Sequence, residues 1–325
     1  MFKLFLILML SQFVYSIDLG CTNAQKNANP FAGNGTFLNP YKICTVVQFN
    51  RIANNAAYLN KKFRLMEDLD FTGKTLNEIG TEATPFTGEF NGGNNKMSNI
   101  VFTKPANDDV GIHGIFRAIK NANIYNLNIV KPFMDPTLYP QGGFGWSLGI
   151  LVGHAKSSWI NDVKITQATM PGRDYSGILV GHLEDSFVSD SKTTGWITNT
   201  TSADALGGLV GMAYHSFITC SDSTVKIDYA YLYEYMFGFS DATSCHGGLI
   251  GAAQDSTIHN AETSGLIQFP MDQNGNYLPQ NNHGAEGYGQ VLGCAFDSCY
   301  SRLRSNLVLK VQDAQYQGGL VGWIQ

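Results

Sequence analysis

"GILVG" runs from Gly149 to Gly153 and returns unchanged from Gly177 to Gly181, with close copies at Gly207–Gly211 ("GGLVG"), Gly247–Gly251 ("GGLIG"), Gly289–Gly293 ("GQVLG") and Gly318–Gly322 ("GGLVG"). Counted from each closing glycine, the fifth residue onward is Ser158, Ser186, Ser216, Ser256 and Ser298, and the seventh is Ile160, Val188, Ile218, Ile258 and Tyr300. The phrase therefore marks a shared register. An earlier degenerate copy, "GIFRAIKNANIYNLNI", carries Arg117 in place of the closing glycine and Ile124 at plus seven. Closing glycines are 28, 30, 40, 42 and 29 residues apart. A period of this size with short apolar stretches signals a solenoid, in which each unit buries its core only against its neighbours.

Within a unit, the Leu-Val pair and the later apolar residue at plus seven read as two short strands around a turn. Glycines at both ends of the first strand permit corners that a side chain would obstruct. Coil stacked on coil pairs like strands in parallel and sets equivalent side chains in columns. The expected fold is all-β: a right-handed parallel β-helix, with the plus-five serines laddered along a corner where their hydroxyls bond backbone groups.

The "GGLVG" phrase followed by a Ser-x-Ile segment resembles the GLUG motif of bacterial and some protist surface proteins. The segments "GNGTFLNPYKICTVVQFNRIA", "FRLMEDLDFTG", "PFTGEFNGGNNKMSNIVF" and "GIHGIFRAIKNANIYNLNIV" resemble the block that precedes such repeats in adhesin-like and peptidase-associated proteins. The resemblance covers the chain from about Gly33. It implies architecture more than activity. Peptidase-associated members carry catalysis in a separate zinc domain, and this sequence has no "HExxH".

The start, "MFKLFLILMLSQFVYS", has one cation at Lys3, an apolar run from Leu4 to Leu10 and small or polar residues up to Ser16, the layout of a secretory signal peptide. Expected divisions are a leader at 1–16, a capping block with the first coils at 17–110, and repeats with three inserted loops at 111–325. Thr45 and Gln48 read as a capping box, with Val46, Phe49, Ile52 and Ala53 following at helical spacing. That short helix is expected to cover one end of the solenoid, whose strand edges otherwise invite aggregation. No later stretch is long and apolar enough to span a bilayer.

The chain holds 21 basic and 26 acidic residues, a net charge of −5, and no cluster of cations to meet a phosphate backbone, so nucleic acid is excluded as a partner. Its six cysteines, Cys21, Cys44, Cys220, Cys245, Cys294 and Cys299, read as disulfide partners in an exported chain, with Cys21–Cys44 the favoured pair. Cys220 and Cys245 are placed to staple the segment between them. Asn34 in "NGT" and Asn199 in "NTT" are glycosylation acceptors if the source is eukaryotic.

Three excursions interrupt the coils: Lys131 to Leu148, Asp228 to His246 and Gln268 to Tyr288. The second contains "DYAYLYEYMFGF", with rings at Tyr229, Tyr231, Tyr233, Tyr235, Phe237 and Phe239 in strict alternation. One face of that strand is wholly aromatic, suited to stacking on sugar rings or to burial against another protein. Rings packed down on the flank of the solenoid fit the same pattern. His154 and His182 share a column without a third ligand, so no metal is expected, and no motif calls for a cofactor. Asp185, Asp255 and Asp297 share the plus-four column, where paired carboxylates would suit a polysaccharide-cleaving enzyme and turn chemistry explains them equally. The reading is an exported or cell-surface binding protein that meets glycans or cell-surface proteins through its aromatic loops. A carbohydrate-active enzyme is the runner-up, followed by a structural piece of a longer adhesin.

Overall fold

The computed structural model of this chain describes residues 20–103, 111–136, 145–200, 203–229, 244–268, 286–310 and 316–324. The leader assigned to 1–16 lies outside them, as do 137–144, 230–243 and 269–285 of the three excursions. Among the described residues the fold is all-β with parallel pairing, apart from a few short helical turns near the N-terminus.

Each half of the repeated phrase forms one strand of its own sheet. Val152–Lys156 pairs with Val180–Glu184, followed in order by Val210–Tyr214, Ile250–Gln254, Leu292–Phe296 and Val321–Ile324. Ser147–Gly149, Tyr175–Gly177, Ala205–Gly207, Ser244–Gly247, Glu286–Gly289 and Tyr316–Gly318 stack likewise. Each of these sheets has seven strands among the described residues, and the plus-seven segments build a third sheet of fifteen. In that third sheet the long strands Trp159–Pro171 and Thr257–Gln268 each pair with two shorter strands of a neighbouring repeat, so the pairing closes on itself through six strands. The register survives the 40-residue repeat: Asp228 stands opposite Gln268, and Ala205 opposite Cys245.

The closing glycines are required by close approach. A Cβ at Gly181 would lie 2.6 Å from the backbone nitrogen of Leu148, on the strand of the preceding repeat. The degenerate copy then has a physical reason. Its neighbour strand Ile112–His113 is the first of its sheet among the described residues, so no earlier strand crowds Arg117. The Arg117 guanidinium instead bonds the Ile112 carbonyl (3.0 Å) and lies 3.8 Å from the buried Glu78 carboxylate.

The core runs the length of the stack: Leu151, Leu179, Leu209, Leu249 and Val291 from the phrase, facing Ile160, Val188, Ile218 and Ile258 at plus seven, all fully buried. At the N-terminal end Tyr41–Ile43, Lys62–Leu65 and Glu89–Asn91 lead by parallel pairing into Asn123–Val130. The helix Val46–Arg51 buries Phe49 between Phe71 and Phe90, at ring distances of 6.0 and 5.8 Å. Its cap is half of the expected box. Thr45 Oγ1 accepts from the Gln48 N–H (3.2 Å), but Gln48 Oε1 accepts from the Cys44 N–H and its Nε2 donates to the Gln25 carbonyl, each at 2.8 Å. A complete box stands instead at Thr22 and Gln25, opening the helix Asn23–Lys26.

The cysteine pattern needs correction. Cys21–Cys44 is bonded, and so is Cys245–Cys294, whereas Cys220 and Cys299 are exposed free thiols. Cys220 cannot staple its excursion to Cys245, because the two face different surroundings. Cys220 sits on an outer corner, while Cys245 is buried with Cys294, Ala205 and Ala252 in a second, smaller apolar cluster.

Candidate functional site

The outer corner between the phrase and the third sheet carries the site. At plus four the backbone is left-handed in every repeat: φ is 47° at Ser157, 48° at Asp185, 47° at His215, 48° at Asp255 and 45° at Asp297. Asp, Asn and His are the side-chain-bearing residues enriched there, so the acid column owes its composition first to conformation. The serine at plus five then locks the corner. Ser158, Ser186 and Ser216 donate their N–H to Ser186, Ser216 and Ser256 Oγ at 2.9, 3.1 and 3.0 Å. Each hydroxyl in turn donates to the carbonyl two residues back, as Ser216 does to Tyr214 at 2.8 Å.

The locked corner turns plus six outward. Trp159, Phe187 and Phe217 occupy that column in three successive repeats and form an aromatic ladder. Trp159 meets Phe187 edge-on at 5.3 Å, and Phe187 stacks on Phe217 at 5.2 Å with planes 4° apart. Trp159 is 55 % exposed and Phe217 38 %. The ladder lines an open groove of about 570 Å³ with Asn123, Ser157, Asp185, His215, Asp255 and Thr257. Beside it, His215 reaches Asp185 Oδ1 from Nδ1 (3.6 Å) and Asp255 Oδ2 from Nε2 (3.4 Å).

The sequence column of acids is therefore brought together with a histidine in its midst. Asp185 and Asp255 are two strand spacings apart, roughly 10 Å, and the imidazole fills the place where a scissile bond would sit. Both carboxylates are well exposed, whereas a general acid working at neutral pH needs a drier setting. The arrangement suits binding better than cleavage. The ladder itself was legible at plus six, in the same register as the serines, once that column is aligned.

The remaining candidates are scattered. Tyr229 ends the strand Asp222–Tyr229, and Tyr231, Tyr233, Tyr235, Phe237 and Phe239 lie outside the described residues, as does the Asn199 side chain. Asn34 is exposed, and its Oδ1 accepts from the Thr36 N–H (3.2 Å) and hydroxyl (2.8 Å) of its own sequon. His154 and His182 stack at 4.7 Å with planes 5° apart; His154 Nδ1 lies 2.9 Å from Glu82 Oε1 and its Nε2 3.5 Å from Glu184 Oε2. Burial, then the neighbouring His154, push His182 down to about 4. Among the described residues no group of three or more His, Cys, Asp or Glu is arranged to hold a metal ion. No helix among them is long and apolar enough to cross a membrane.

No protein-family model matches the chain. A stretch covering 30 % of the chain is 31 % identical over 107 residues to halomucin of Haloquadratum walsbyi, and it spans 1 % of that protein's length. The crystal structure of a candidate immunoglobulin A1 protease from Bacteroides ovatus superposes with a TM-score of 0.59 at 15 % identity, over 90 % of this chain and 86 % of that one. At that identity the likeness is one of fold: the chain is kin to a parallel, β-helix-like architecture.

Proposed function

We infer that the chain is an exported or cell-surface binding protein that holds an extended glycan across the ladder Trp159–Phe187–Phe217. The observation that carries this reading is the ladder itself. Phe187 and Phe217 stack on each other and Trp159 stands edge-on to Phe187, so the serine-locked corner shows solvent an apolar strip of ring edges together with the exposed Trp159. Aromatic side chains supply area with little loss of side-chain freedom, and polar groups along both flanks can meet hydroxyls. Two disulfides suit an oxidising compartment. In the same reading the leader at 1–16 is cleaved, Asn34 is a glycosylation acceptor, and the stack winds as a right-handed β-helix of GLUG type, the hand that parallel crossovers take.

Replacing Trp159 and Phe217 together by Ala tests this on a glycan array followed by calorimetry. The expected result is a loss of affinity of roughly tenfold or more with unchanged far-ultraviolet dichroism. Unchanged affinity for every glycan bound by the parent protein would overturn it. The rings at Tyr229–Phe239 are a separate contact candidate, and binding lost on Tyr231→Ala with Tyr235→Ala, but not on the ladder substitutions, would move the site there.

A further inference from the structure

The face that carries the ladder is chemically one-sided. Across plus four to plus eight of the repeats closing at Gly153, Gly181, Gly211, Gly251 and Gly293 there is no Lys or Arg, while Asp185, Asp255 and Asp297 stand at plus four. The other flank, at plus eight, is polar and carries no Asp, Glu, Lys or Arg. There Asn161 Nδ2 donates to Ser189 Oγ (2.6 Å), and His259 Nδ1 lies 2.7 Å from Ser301 Oγ. Of the cations on the adjoining positions, Lys156 pairs with Glu184 and Lys192 with Asp222 at 2.7 Å, whereas Lys120 stands opposite Lys156 at the start of the column and Arg302 and Arg304 belong to the repeat closing at Gly293, beyond the ladder. Lys164 Nζ lies 3.8 Å from Asp162.

An anionic sugar chain, a uronate or sulfated polymer, would need Arg or Lys at this groove, and its charge would face carboxylates instead. A cationic chain meets the opposite situation. A sugar ammonium offers three donors to solvent-exposed carboxylate oxygens while its ring lies along the apolar strip that Trp159 and the stacked Phe187 and Phe217 edges form. We propose that the ladder groove recognises an amino-sugar polymer carrying free ammonium groups, with Asp185 and Asp255 taking the ammonium groups and Trp159, Phe187 and Phe217 taking the rings. His215 holds the two carboxylates in line between neighbouring repeats. The proposal rests on the glycan reading above and adds the charge class of the ligand.

The test is calorimetry on the full chain with three probes: a glucosamine oligomer, the matching N-acetylglucosamine oligomer and a galacturonate oligomer. The parent protein should bind the glucosamine oligomer roughly tenfold or more tightly than the N-acetylated one, and the galacturonate oligomer not at all. In Asp185→Asn with Asp255→Asn that preference should vanish while binding of the N-acetylated oligomer stays. Asn tolerates the left-handed corner as Asp does, so the double variant keeps the fold. Trp159→Ala with Phe217→Ala should weaken both amino-sugar probes. Equal affinity for the two, binding of galacturonate, or a preference that survives the Asn variant would overturn the proposal and leave the glycan reading standing. Failure of all three probes, alongside failure on an array of neutral glycans, would overturn both. Oligolysine bound as tightly as glucosamine, and indifferent to loss of Trp159 and Phe217, would assign the acids to a basic peptide and sink the amino-sugar assignment.

Discussion

Ser186 joins three repeats through one side chain and its own N–H. Its hydroxyl donates to the Glu184 carbonyl at 2.6 Å and accepts the Ser158 N–H at 2.9 Å, while its N–H bonds Ser216 Oγ at 3.1 Å. Removing the hydroxyl leaves a buried N–H of the neighbouring coil without its acceptor, so Ser186→Ala should cost about 1–3 kcal/mol, read as a lowered urea midpoint at constant m-value. The plus-four position, one residue before each corner serine, behaves differently. Asp255 is held at φ 48° with its carboxylate in solvent, so Asp255→Asn should leave the midpoint unchanged. Asp255→Val should lower stability by about 1–2 kcal/mol, because a β-branched residue resists the left-handed region. A silent Val variant would mean that the corner is not conformationally demanding. Serine recurrence made the plus-five serine column readable in advance, while the acid column suggested chemistry because φ is not written in a residue's name.

At the scale of the strand, Val180–Glu184 carries a histidine into an apolar setting. His182 lies against His154 at 4.7 Å and Tyr175 at 5.4 Å, and it is pushed down to about 4, by burial first and His154 second, from an ordinary 6.5. A histidine whose folded value is depressed binds its proton more readily in the unfolded chain. The stability it contributes is therefore present above about 6.5 and lost as pH falls toward 4. The melting temperature of the parent relative to His182→Met should therefore fall across that window, and Met is tolerated because Met212 already fills the same column one repeat on. His246, fully buried and lowered to about 3 by desolvation, leaves a residual slope in the same direction. Asp204, raised to about 6 by burial, acts in the opposite direction over the same range, so a parent-minus-variant difference that stays constant from pH 7 to 4 is what would contradict this account.

At the scale of the molecule, the chain is a stack whose units touch mainly their neighbours, so its cross-links act locally. Cys245–Cys294 closes 49 residues between adjacent repeats, and losing such a loop constraint is worth about 4 kcal/mol in the chain-entropy picture. Cys245→Ser with Cys294→Ser should shift the denaturation midpoint accordingly. Native maleimide labelling followed by mass spectrometry should modify Cys220 and Cys299 and spare the other four cysteines. Labelling at Cys245 would contradict the pairing. Cysteine parity pointed to disulfides, but it could not say which thiols share an interior, since that depends on which face of its strand each residue occupies.

Recurrence alone determined the stacking. Glycines, a Leu-Val pair, a serine and an apolar residue at constant offsets force parallel columns, because neighbouring units must bury identical faces against one another. The expected short helix at Thr45 follows from local capping and periodicity, and it forms. The direction in which each remaining column points was decided only by the tertiary structure. The left-handed corner at plus four and the hydroxyl lock at plus five rotate plus six into solvent, and this turns Trp159, Phe187 and Phe217, scattered at intervals of 28 and 30 residues, into one continuous surface. "GILVG" announces that copies will stack; the corner after it decides what the stack shows to the outside.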